Sequence, residues 1–183
     1  MITRSLSLVV ALLSASVLHA ADRTTPGLEV GDKAAGLTLK NSTCSDVAPG
    51  DLLKRVLVAP GFYRSADGCP FCKKQLQDRE KNRAAIKASG VRLIGWSYDA
   101  PAANAAAATK LGPTFPLHSD IGSKTIEAYR IRTKEAKGRA EGVPNPAVFI
   151  VDRTGVIRAK LTRDGYRERP ESAEIIAAAR SLH

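Results

Sequence analysis

Short apolar runs alternate with longer amphipathic stretches along this chain, the rhythm of strands feeding helices. Val56-Leu57-Val58-Ala59 is continuous enough for a strand covered on both faces, so a strand is predicted over Arg55–Ala59, followed by a polar loop. A helix is predicted from Pro70 to about Ser89, with Pro70 at the first helical position and Gly90 as its C-terminal cap. Its apolar stripe is imperfect. Cys72, Leu76 and Ile86 share a face, yet Arg79 and Arg83 fall on the same stripe. Either those arginines run past the core edge, or the helix is bent or rotated. Val91–Tyr98 reads as a second strand, and Ala102–Lys110 as an alanine-rich helix with Pro101 near its first turn and a stop at Gly112-Pro113. Phe115-Pro116-Leu117 is short and extended, and Asp120 is the candidate N-cap of a helix over Ile121–Tyr129. Ala147–Val151 is a buried strand, turned by Asp152-Arg153-Thr154-Gly155 into Val156–Leu161. Pro170 opens a last helix over Glu171–Leu182. Upstream, Leu37-Thr38-Leu39 is a short strand candidate, and Pro49-Gly50-Asp51 marks a turn. The order predicts one α/β domain, a central mixed β-sheet with helices on both faces.

The first twenty residues stand outside that domain. Met1-Ile2-Thr3-Arg4 is a short positive segment, Leu6 to Leu18 is largely apolar, and Leu18-His19-Ala20 offers a small-residue cleavage site. Residues 1–20 are therefore read as a signal peptide and residues 21–183 as the mature, periplasmic or secreted domain. The apolar run is short for a membrane span, and no cysteine sits at the cleavage point to carry a lipid, so no stable membrane association is expected after cleavage. The formal charge of +10 comes from basic residues spread over the chain, densest from Arg130 to Arg139, which reads as an exposed loop. Nucleic-acid binding would need aromatics among those cations; aromatics are only 5% and none falls in that run, so nucleic acid is excluded as a partner and a solvated basic surface is favoured, one able to steer acidic partners.

The chemistry concentrates in Cys69-Pro70-Phe71-Cys72, delivered by the polar loop to the start of the first long helix. Thiols three residues apart lie on one helix face, close enough for a small disulfide ring. The unsatisfied backbone N–H groups and the positive dipole end there favour a thiolate, and Lys73 and Lys74 add charge. Zinc would need a second ligand pair, and only the isolated Cys44, His118 and His183 remain, so no metal is assigned. A purely structural bridge would close too short a loop to stabilise much. Cys44 lies in a polar stretch; it could resolve an oxidised Cys69, pair between chains or stay free, with no catalytic role preferred because Cys72 already supplies a resolving thiol. No serine, histidine or carboxylate constellation points to a hydrolase.

Together, Phe62-Tyr63-Arg64-Ser65-Ala66-Asp67, Cys69-Pro70-Phe71-Cys72-Lys73, Ser97-Tyr98-Asp99, Phe115–Asp120, Val143-Pro144-Asn145-Pro146, Phe149–Ile157 and Tyr166-Arg167-Glu168-Arg169 resemble the redoxin branch of the peroxiredoxin-like proteins, the alkyl hydroperoxide reductase/thiol-specific antioxidant family. The resemblance runs from Val30 to Pro170 and implies a thioredoxin-like fold. It implies that Pro146, rather than Pro144, is the cis-proline facing the CxxC. The chain also departs from the family. Ala66, Phe62 and Pro146 stand where typical members carry threonine, proline and arginine around the peroxidatic cysteine, and Gly68 stands where redoxin relatives carry tryptophan. Arg64 is the candidate to stabilise a thiolate or peroxide oxygen in their place, against the plainer reading of a solvated loop arginine.

The reading is then an exported thiol–disulfide oxidoreductase, an antioxidant reducing peroxides or protein disulfides. Cys69 is the nucleophile, Cys72 the resolving thiol, and Arg64, Pro70 and Pro146 support them. The electron donor is an external thiol and no bound cofactor is needed. The alternative of another class is a thioredoxin-like Cu(I)-binding chaperone; its known forms use a wider cysteine spacing and a well-placed histidine, which this CxxC and His118 do not match.

Overall fold

The computed structural model describes residues 25–35, 39–40, 46–47, 57–163, 165 and 167–183. The signal segment, Cys44 and the turn at Pro49-Gly50-Asp51 lie outside the described residues, as does most of the Leu37–Leu39 strand candidate.

Strands β1 (Leu39–Lys40), β2 (Asp46–Val47), β3 (Leu57–Phe62), β4 (Val91–Ser97), β5 (Leu117–Ser119), β6 (Ala147–Val151) and β7 (Ile157–Thr162) form one sheet in the order β2-β1-β5-β4-β3-β6-β7. The middle is parallel, with β4 between β3 and β5, and β6 and β7 close one side antiparallel. The sheet is mixed, as the sequence predicts.

Alternation along the central strands buries both faces. Ala59, Leu93, Val148 and Ile150 pack in one layer beneath α1 (Pro70–Lys81), α2 (Arg83–Ala88), α3 (Pro101–Leu111) and α5 (Ser172–Arg180). Their neighbours Val58, Phe62, Ile94, Trp96, Phe149 and Val151 pack in the other layer with Ile126 and Tyr129, from α4 (Lys124–Ala128) and its C-terminal end. Phe62 is the hub of that second layer, 5.5 Å from the Trp96 ring and 4.9 Å from Tyr129. Gly95 of β4 leaves room for the Leu117 side chain of β5, because a Cβ there would lie 2.6 Å from Leu117 Cδ2.

The first predicted helix divides at Asn82, whose side chain donates to the Asp78 carbonyl at 2.9 Å and whose backbone leaves helical geometry (φ −99°, ψ 7°). Cys72, Leu76 and Ile86 all reach the core on either side of the break. Arg83 turns out to solvent and pairs with Glu80, whereas Arg79 is buried and donates to Ser172 Oγ at 3.0 Å and to the Pro170 carbonyl. The imperfect stripe thus has two causes, a bend and a buried arginine with polar partners. The helix expected over Ile121–Tyr129 starts only at Lys124, and its N-cap residue is Ser123, not Asp120. The Asp120 carboxylate still serves the helix start from three residues before that cap, accepting from Thr125 and Ile126 N–H at 3.1 and 2.7 Å. The basic run after Arg130 is an exposed loop broken by a 3₁₀ turn at Gly138–Ala140.

Candidate active site

The site forms where β3 ends. Phe62 is the last strand residue, paired with Trp96 of β4 and Ala147 of β6, and Tyr63 begins the loop that carries the chain to α1. That loop is tethered from behind. Asp99 Oδ2 accepts from the Ala66 N–H at 2.7 Å and from Ser97 Oγ at 3.1 Å, and Tyr63 donates its hydroxyl to Asn104 Oδ1 at 2.7 Å. Asn104 in turn donates to the His118 carbonyl and to Ser119 Oγ, which ties the loop to β5. Fully satisfied buried networks of this kind hold one geometry. The loop is short, anchored at both ends, and hands Cys69 to the helix in a fixed place.

Cys69 is the N-cap residue of α1, in extended conformation (φ −113°, ψ 109°), and Pro70 occupies the first helical position, where its missing N–H leaves no bond unmade. The Cys69 carbonyl accepts from Cys72 and Lys73 N–H, both at 3.1 Å, which closes the first turn. Cys69 is half-buried and Cys72 fully buried, and both are free thiols. Their environments drive them apart. The Cys69 thiol is pulled down to about 5, first by the hydrogen bond from the Cys72 thiol, then by the Cys72 N–H, the charge of Arg169 and the Phe71 N–H; these outweigh partial burial, which acts the other way. The Cys72 thiol is pushed well above the ordinary range by holding its proton toward Cys69 and by burial. One thiol is the anion and the other its donor.

Arg169 is the residue that sequence reasoning left out of the site. Its Nη2 lies 3.8 Å from Cys69 Sγ and 3.6 Å from Cys72 Sγ, delivered by the loop between β7 and α5. The adjacent Pro170 is gripped through its carbonyl by Arg79, and Ser172 donates to Asp78 at 2.6 Å, so α1 itself clamps the segment that carries the guanidinium. The only trace in the sequence was Arg169 standing directly before Pro170, inside a family-like stretch. Pro170, expected to open the last helix, lies one residue ahead of its N-cap Glu171. Pairing it with a cysteine 97 residues earlier needs the tertiary fold.

The other expected residues fall as follows. Arg64 is half-buried in the loop and its charge acts on the phenol of Tyr98; the arginine brought onto the sulfurs is Arg169. Pro146 is buried immediately before β6, whose first residue pairs with Phe62, so it does sit beside the site. Its expected cis bond is not there: no cis peptide occurs among the described residues. The segment before it runs as a bridge between Arg132 and Pro144, with Asn145 N–H donating to the Ile131 carbonyl at 2.6 Å, a path built with the ordinary trans geometry that X–Pro bonds prefer. Among the described residues no group of three or more His, Cys, Asp or Glu side chains is placed to hold a metal ion, and no helix is long and apolar enough to cross a membrane.

A parallel-centred sheet with a half-buried and a buried thiol at a helix N-terminus is the arrangement of a thioredoxin-like thiol oxidoreductase. The chain belongs to the AhpC/TSA family, whose model matches residues 30–160. A Mycobacterium tuberculosis protein named as a peroxiredoxin is 29% identical over 134 residues, covering 73% of this chain and 84% of that one. The fold is similar to that of a peroxiredoxin-like protein from Aquifex aeolicus (TM-score 0.74, 22% identity, covering 87% of this chain and 90% of that one). It is equally similar to reduced Prx3 from Vibrio vulnificus, solved in complex with hydrogen peroxide (TM-score 0.74, 17% identity, 83% and 99%). The protein is thus a peroxiredoxin-like antioxidant, a thiol-dependent peroxidase by class. Nothing in that membership supports the copper-chaperone alternative.

Proposed function

We propose that this chain is an exported peroxidase that reduces hydroperoxides through a Cys69–Cys72 dithiol/disulfide cycle. The observation that carries the reading is the asymmetry of the pair, an anionic half-buried Cys69 facing a protonated buried Cys72 across one helical turn. The Cys69 thiolate attacks the distal peroxide oxygen; the O–O bond breaks, the leaving alkoxide takes a proton, and Cys69 becomes a sulfenic acid. Cys72 then attacks that sulfur, a disulfide forms and water leaves with the Cys72 proton. An external thiol donor returns the pair to the dithiol. Arg169 stabilises the thiolate and the negative charge that develops on the departing oxygen, the part the resemblance expected from the position now held by Pro146. Pro70 fixes the first turn, Pro146 braces the strand end beside Phe62, and Arg64 adds positive charge to the loop.

Export rests on the sequence of residues 1–20, and cleavage after Ala20 predicts a mature chain beginning at Ala21, readable from the N-terminal mass of the protein made from its full gene. The activity is tested by stopped-flow oxidation of the reduced mature protein with hydrogen peroxide and, separately, with a disulfide-bonded peptide. Cys69→Ser and Cys72→Ser run alongside. The proposal expects peroxide reduction that Cys69→Ser abolishes and that Cys72→Ser limits to one turnover. Slow reaction with peroxide and rapid exchange with the peptide would make it a protein-disulfide enzyme instead.

A further inference from the structure

One face of α1 carries both a reacting thiol and a buried cation. Cys72, Gln75, Leu76 and Arg79 are its buried residues, on successive turns of the same side. Arg79 is only 3% exposed. Core packing does not ask for a cation there, because a buried charge loses its hydration and a well-packed apolar side chain is often as stabilising or more so. What the guanidinium holds is the segment leading into α5. Its Nη2 donates to the Pro170 carbonyl and its Nη1 to Ser172 Oγ at 3.0 Å, while Ser172 Oγ donates onward to Asp78 Oδ2 at 2.6 Å. Asp78 also meets Nη1 at 3.0 Å, so the positive charge is answered inside the cluster.

The grip reaches the sulfurs through a stiff link. Pro170 is buried, its ring fixes its own φ at about −65°, and the residue before a proline is confined toward extended backbone. That residue is Arg169, whose Nη2 lies 3.8 Å from Cys69 Sγ and 3.6 Å from Cys72 Sγ. The segment is fastened again on either side of Arg169, where Arg163 pairs with Glu174 and the Glu171 N–H donates to Glu174 at 2.7 Å. The helix that bears the thiols therefore also fixes the backbone that aims a guanidinium at them. We infer that Arg79 is a positioning residue for peroxide reduction, holding Arg169 at the two sulfurs by gripping Pro170 and Ser172. The inference rests on the part assigned to Arg169 above. Without the grip the guanidinium spends less time against Cys69. The thiolate then loses a neighbouring cation, and the oxygen leaving the peroxide loses a preorganised donor.

The test compares Arg79→Met, Arg79→Lys, Pro170→Ala, Arg169→Gln and the double variant Arg79→Met with Arg169→Gln, all in the reduced mature protein. Three quantities are read: the pH midpoint of Cys69 alkylation, the single-turnover rate with hydrogen peroxide where wild-type Cys69 is fully thiolate, and Tm. Arg79→Met should raise the midpoint in the same direction as Arg169→Gln and slow peroxide reduction about tenfold. In the double variant midpoint and rate should match Arg169→Gln alone within about twofold, because Arg79 acts through a group already removed. Arg79→Lys keeps the charge and cannot span both Pro170 and Ser172, so it should stay nearer Arg79→Met than wild type. Pro170→Ala keeps the gripped carbonyl and frees the backbone of Arg169, so its midpoint should rise too; it decides the matter if Arg79→Met does not fold. A lower Tm with wild-type midpoint and rate would mark a purely structural arginine and overturn the proposal. Effects that multiply in the double variant, or full recovery with lysine, would overturn it as well. An unchanged midpoint and rate in Arg169→Gln would instead overturn the part assigned to Arg169, and the positioning role with it.

Discussion

The two helices that follow the parallel strands β3 and β4 begin alike. Each opens with a proline at its first position, Pro70 in α1 and Pro101 in α3, after an extended N-cap residue that makes no side-chain cap. Both therefore present unsatisfied N–H groups and the positive end of a helix dipole. Only one is proposed as a reactive centre. At α1 the N-cap residue is Cys69, a second thiol waits one turn on, and Arg169 arrives from the far end of the chain; at α3 the N-cap residue is Ala100, exposed and chemically inert. A helix N-terminus supplies a modest bias toward negative charge, worth about 0.3–1 kcal/mol at an exposed site. The thiol partner and the delivered arginine turn that bias into a thiolate.

The sharpest way to break the comparison is to remove the arginine. Arg169→Gln should slow peroxide reduction on the order of tenfold to a hundredfold, the effect of losing a preorganised charged donor. It should also raise the pH midpoint of Cys69 thiolate formation, read from thiolate absorbance or alkylation rate against pH. An unchanged midpoint would leave α1 and α3 differing only in carrying cysteines. The converse experiment puts a cysteine on α3: Ala100→Cys should give a thiol whose pKa sits within about one unit of ordinary cysteine, with peroxide reactivity no better than the free amino acid. Fast reaction at that site would mean that a helix terminus is sufficient.

The thiolate also couples to stability. The folded Cys69 pKa lies below the unfolded one, so its contribution is fully present above about 9 and is lost as pH falls toward about 5. The Tm of the reduced wild type relative to Cys69→Ser should therefore decline between pH 9 and pH 5, and the oxidised protein should not show that dependence. Arg64→Gln has the smallest expected effect, less than about threefold in peroxide rate, since a half-exposed loop arginine acts through screened charge.

The same contrast explains what could be read from the sequence. The strands announced themselves because their apolar runs are long and buried on both faces, and the CPFC motif carries its chemistry within four residues. The hairpin turn at Asp152–Gly155 was equally legible, because Asp152 accepts from its own Thr154 and Val156 N–H groups and Gly155 takes the left-handed conformation (φ 77°). What escaped were consequences of contact across the fold. Arg79 looked like a flaw in an apolar stripe because its partners, Ser172 and Pro170, lie more than ninety residues away. Arg169 was invisible as a site residue for the same reason. The cis bond at Pro146 was an expectation borrowed from the wider thioredoxin-like class, and the local path through Asn145 does not take it.

The central claim is that Cys69 and Cys72 act as one redox unit. It is tested most directly by treating the fully reduced mature protein with one equivalent of hydrogen peroxide, quenching at acid pH with an alkylating agent, and mapping the cysteine peptides. The account predicts a chain two hydrogens lighter with Cys69 and Cys72 joined to each other. In Cys72→Ser it predicts a sulfenic acid on Cys69. A wild-type chain that keeps both thiols free, or that oxidises at Cys44 while Cys69 and Cys72 remain reduced, would contradict it.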